Sequence, residues 1–158
     1  MKGSGNMGCV HDILELPVID AKEGRELGRV IDVVLKAGAD HIGGIILKSK
    51  DDQYLVAPTQ LYSLGTDYVI IKEKSNLLQV DSNDLLTAQD LIGTQVVTSQ
   101  GDSLGVVKDI LLTAEGKLSG YELSDGLVQD ILTGREVLAA DKKITYGNQK
   151  IIIEDHLN

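Results

Sequence analysis

At 158 residues the chain is long enough for one ordinary domain or for two very small ones. Its apolar fraction of 42% excludes a disordered polymer, yet there is no Phe or Trp and only five Tyr, so a core must be built from Val, Ile and Leu. The net charge of −9 repels phosphate and weighs against diffuse nucleic-acid binding; Arg25, Arg29, Lys72 and Lys74 are the only candidates for a local basic patch.

Residues 1–13 read as a flexible leader: Met1 to Gly8 is Gly-rich and lacks the apolar centre of a signal peptide. Cys9 is the only cysteine, which rules out an internal disulfide and fits a reducing cytoplasm. No apolar run reaches the length of a membrane span.

Residues 14–80 carry short aliphatic runs separated by glycines. Val18-Ile19 opens a first strand, Lys22 to Arg25 a hairpin turn, and Val30 to Leu35 a second strand. Gly38 marks the next turn, Ile42 to Leu47 a third strand, Tyr54 to Val56 a fourth and Val69 to Ile71 the last. Gly24 is expected to take positive φ in its turn, and Gly28 to mark a bulge or a close approach of backbones. A polar stretch follows, and then Asp84 to Asp90, where Asp84 is the candidate cap of a short helical linker.

Residues 81–158 repeat the pattern. Leu27-Gly28-Arg29-Val30-Ile31-Asp32 matches Leu104-Gly105-Val106-Val107-Lys108-Asp109, 77 residues on, with Ile19 opposite Val96 and Gly24 opposite Gly101 upstream. His41 to Leu47 matches Lys117 to Leu123, and Leu64 to Ile71 matches Tyr146 to Ile153 with an offset of 82. Four blocks in one order indicate duplication. Extra residues in the second copy fall around Ser124 to Thr133. There Asp125 can cap a short helix with Leu127, Val128, Ile131 and Leu132 on one face, and Gly134 can end it. A fourth strand is expected at Val137-Leu138. The fold class is all-β: two tandem small barrels, with a short helical linker and a short helix in the second copy.

The strand–turn–strand ending in Leu-Gly-x-Val-x-Asp, followed by a Gly-containing third strand, resembles the PRC-barrel family, once per copy. That module is named for the cytoplasmic domain of the photosynthetic reaction-centre H subunit and also forms the C-terminal half of a ribosome-maturation factor. The resemblance implies a barrel of about five or six strands that docks on other macromolecules and performs no chemistry. The chain shows neither the membrane helix of the first setting nor the N-terminal domain of the second, so neither role transfers with the likeness.

Candidate sites are sparse. His11, His41 and His156 have no partner at zinc-ligand spacing, and neither a Walker pattern nor a dinucleotide fingerprint occurs. Asp32 and Asp109 each interrupt an apolar strand at the same place. They are either paired carboxylates for acid–base or metal chemistry, or residues that take an outward strand position or bond to a neighbouring turn, and the second reading is preferred. No catalytic, cofactor or metal residue is assigned. The candidate partner-binding residues are Asp125, Leu127, Asp130, Ile131 and Arg135, in the segment where the copies differ. The sequence therefore points to a non-enzymatic adaptor that docks on a protein partner or on itself. A factor associated with RNA metabolism or ribosome maturation is the alternative, and a small-molecule or metal binder the third reading. Modules this small bury little alone, so the two are expected to pack together, or chains to dimerise.

Overall fold

The aliphatic runs of both halves become strands in a computed structural model that describes residues 8–36, 40–74, 77–80, 85–124, 144–146 and 150–153. In the first half these are β2 (Pro17–Asp20), β3 (Arg25–Val34), β4 (Gly44–Ser49), β5 (Asp52–Val56), β6 (Leu61–Leu64), β7 (Val69–Ile71) and β8 (Leu78–Gln79). In the second they are β9 (Gln95–Thr98), β10 (Ser103–Leu112), β11 (Leu118–Leu123), β12 (Ile144–Tyr146) and β13 (Lys150–Ile153). Ahead of each set lies a lead-in. The first comprises β1 (Gly8–Cys9) and the helical turn α1 (Val10–Ile13); the second ends in α2 (Ala88–Leu91).

Among the described residues the five strands common to both copies follow the same order. The first sheet runs β6-β7-β2-β3-β4-β5-β8. The second contains β12-β13-β9-β10, with β11 also on β10. Among the described residues β2 with β7 and β9 with β13 are the parallel pairs. Each ten-residue central strand serves two neighbours in turn: β3 pairs β2 through its first half and β4 through its second, as β10 pairs β9 and β11. Bulges interrupt both pairings, adding the local twist and bend that curl a small sheet. Pair for pair the registers agree. Val33 opposite Ile45 becomes Ile110 opposite Tyr121, and Val18 beside Val69 becomes Val96 beside Ile151.

The register also corrects the alignment upstream. Val18, not Ile19, is the counterpart of Val96: each is fully buried and each opposes the glycine of its long strand, Gly28 or Gly105. The hairpin of the first copy holds one residue more, and that residue displaced the sequence match. Gly24 and Gly101 take φ of +68° and +95°, as their turns require. Gly28 permits a backbone approach closed to other residues, since a Cβ there would sit 2.2 Å from the carbonyl oxygen of Lys48. The third strand begins at Gly44 rather than Ile42, because the Ile42 N–H is directed to Gly116 O of the other copy, at 2.9 Å.

From Gly8 onward the segment expected to be a leader is structured. β1 pairs with β10 of the second copy, Gly8 opposite Leu112 and Cys9 opposite Leu111. Val10 and Ile13 are buried there, contributing on the order of 4 kcal/mol before conformational entropy is subtracted. The second lead-in does the same to the first copy: Val34 bridges Thr87, and the Leu35 N–H donates to Leu86 O at 2.8 Å. The linker helix is capped by Thr87, whose Oγ1 accepts from Asp90 N (3.3 Å) while Asp90 Oδ2 accepts from Thr87 N (3.2 Å). Asp84 lies outside the described residues, as do the expected helix after Asp125 and the expected strand at Val137-Leu138. The buried residues of both copies form one cluster, from Val10 and Val18 through Val96 and Ile110 to Ile151.

Candidate functional site

The two aspartates that interrupt the long strands sit at bulges. Each turns a carboxylate oxygen onto the N–H of the next residue: Asp32 Oδ1 accepts from Val33 N at 2.8 Å, Asp109 Oδ1 from Ile110 N at 2.7 Å. An unpaired amide at a bulge needs an acceptor, and a short carboxylate supplies it locally. The rest of each carboxylate faces the lead-in helix of the other copy. Asp109, 5% exposed, holds His11 Nδ1 at 2.6 Å from Oδ2; a carboxylate only accepts, so Nδ1–H is the donor. Asp32 accepts from Gln89 N at 3.3 Å, and Gln89 Nε2 donates to Ile31 O at 2.7 Å. His11 and Gln89 occupy the same place in their helices. Each copy is therefore clasped at its bulge by the other.

Cys9, His11 and Asp109 stand together, a combination that in other settings makes a nucleophile. The geometry here opposes it. Burial first, and then the hydrogen bond to Asp109, push the Cys9 thiol up to about 12, so it stays protonated at neutral pH. The imidazole is turned to the carboxylate. These groups can clamp two segments together, and Asp109 satisfies all of them.

Other sequence candidates divide plainly. His41 forms an antiparallel bridge with Lys117, and its Nδ1 lies 2.8 Å from Asp40 Oδ1, which holds the Asp40 carboxyl below its ordinary range. Arg25 and Arg29 lie 3.9 Å from Glu23 and 3.6 Å from Glu15, and Lys72 lies over the Tyr62 ring, 5.9 Å from its centre. These cations are shared out among neighbours and do not form a concentrated patch for phosphate. Asp125, Leu127, Asp130, Ile131 and Arg135 lie outside the described residues, as does His156. Among the described residues no group of three or more His, Cys, Asp or Glu is arranged to hold a metal, and no helix is long and apolar enough to cross a membrane. Asp20, 1% exposed, is a functional-looking acid that the sequence did not single out. Its Oδ1 accepts from Lys22 N (2.7 Å) and Glu23 N (3.1 Å), which fixes the first hairpin turn.

Fold and carboxylates together define a tandem small-barrel protein whose recurrent polar groups join its two copies. The sequence model of the PRC-barrel domain matches residues 9–78 and again residues 83–156. The chain belongs to the PRC-barrel domain family, in two tandem copies. A search of curated proteins finds no match to it.

Proposed function

We propose that this protein is a cytoplasmic, non-enzymatic adaptor that docks on a protein partner. The observation that carries the reading is the employment of the bulge carboxylates. The acids that recur in both copies are engaged by backbone amides and by the opposite lead-in, which leaves them for architecture and not for turnover. Family membership supports it, since such modules serve as docking units in the settings the sequence resembles. The docking surface is assigned to the segment in which the second copy departs from the first, with Leu127 and Ile131 as apolar contacts and Asp125, Asp130 and Arg135 as the polar rim.

Affinity capture with the whole chain, compared with an Ile131→Asp, Arg135→Glu variant, tests this. A partner retained by the parent and lost by the variant is expected. Equal capture by both removes the segment from the interface. Salt-sensitive RNA in place of protein, abolished by neutralising Arg25 and Arg29, would replace the reading with the RNA alternative.

A further inference from the structure

The contacts between the copies are reciprocal. The Ile42 N–H donates to Gly116 O at 2.9 Å and the Leu118 N–H to Asp40 O at 2.8 Å, two bonds exchanged by a two-fold axis. Around the same axis the lead-in Gly8–Ile13 joins the second sheet and the lead-in ending at Leu91 joins the first. The covalent path between the copies crosses residues 79–82, which neither match to the family includes.

We infer that the chain is a tethered pair whose two halves recognise each other without the tether, each reading the other's bulge carboxylate with the second residue of its lead-in helix. The occupant of each acceptor surface is thus the complementary half of this chain. A mixed pair is favoured over like pairs for three reasons on the structure. The deeply buried Asp109 receives the imidazole N–H at 2.6 Å, a closer contact than the 3.3 Å at which Gln89 N, the donor a pair of second halves would offer, meets Asp32. Gln89 spends its amide on Ile31 O, a bond His11 does not make in the present pairing. At the axis, His41 opposes Lys117; two second halves would set Lys117 directly against Lys117, a like-charge cross-strand pair. Divergence after duplication has made the contact complementary instead of self-complementary.

A protease site inserted between residues 81 and 84 of the whole chain, cut after folding, tests this by native mass spectrometry at micromolar concentration. One particle holding one copy of each fragment is expected, and it should re-form when fragments from labelled and unlabelled protein are mixed. Separation, precipitation, or a 1:2:1 mixture of like and mixed pairs overturns the proposal. In the cut protein, His11→Ala should weaken the pair about tenfold, the loss expected when a hydrogen bond to a carboxylate across the contact is removed. Unchanged affinity would refute the assigned recognition.

Discussion

His41 and Lys117, matched residues of the two copies, oppose each other in an antiparallel bridge. Equivalent residues meet in this way only on a two-fold axis, so the internal repeat is arranged as a homodimer would be, within one chain. The outer contacts obey the same axis. Leu35 meets Leu86 as Leu112 meets Gly8, and Val34 meets Thr87 as Leu111 meets Cys9.

The bulge carboxylates should matter unequally. Asp109→Ala leaves the buried Ile110 amide without its acceptor and removes the partner of the exposed His11, and is expected to cost about 2–3 kcal/mol in urea unfolding. Asp32 is less buried and its contact with Gln89 is longer, so Asp32→Ala should cost about 1–2 kcal/mol. The reverse order would contradict the account of the site.

Two glycines separate backbone proximity from backbone conformation. Gly28→Ala forces a Cβ against Lys48 O and should cost more than about 3 kcal/mol. Gly93 has open space around it but φ of +95°, so Gly93→Ala should cost only about 1 kcal/mol. Its counterpart in the first copy is Glu15, held at φ +73° with the same backbone bond, its N–H donating to Val30 O as that of Gly93 donates to Val107 O. Glu15→Gly should therefore be neutral or stabilising by up to about 1 kcal/mol, against the usual cost of introducing glycine. Thermal unfolding of the three variants gives the order.

Cys9 should be chemically quiet. A thiol raised from 9.0 to about 12 exposes about a thousandfold less thiolate near pH 8, so alkylation of the native protein should be slower by about that factor than in urea. The folded state holds this proton more tightly than the unfolded state. The stabilisation is complete below pH 9.0 and is lost as pH climbs towards 12. Rapid labelling of the native protein at pH 8 would contradict the burial of the lead-in.

Much of the fold was legible because duplication repeats a pattern that physics constrains strongly. Gly28 with Gly105, Asp32 with Asp109 and Ile71 with Ile153 all fall at equivalent register positions, as the sequence match requires. The preferred reading puts the aspartates at an outward strand position or against a neighbouring turn; Asp109 is instead 5% exposed, and both bond the next residue's amide and the opposite lead-in. What the pattern could not carry was the exchange. Val10, Ile13 and Leu14 stand at helical spacing, but over too short a stretch to mark a helix, and nothing local tells a four-residue turn that its groove lies beyond residue 100. Val18 was misplaced by one residue because a hairpin tolerates an insertion that a strand does not. His11 stays 60% exposed, yet it reaches the buried Asp109. Its partner is 98 residues away in sequence.

Hydrogen exchange on a Val10→Ala variant tests the exchanged arrangement most directly. Val10 is fully buried in the lead-in that docks on β10, and truncating it removes apolar contact and leaves a small cavity. Reduced protection is expected at the amides of Ile110, Leu111 and Leu112 in the second copy. Loss of protection confined to residues 17–80, with those three amides unchanged, would show that the first lead-in serves its own copy and would end the account.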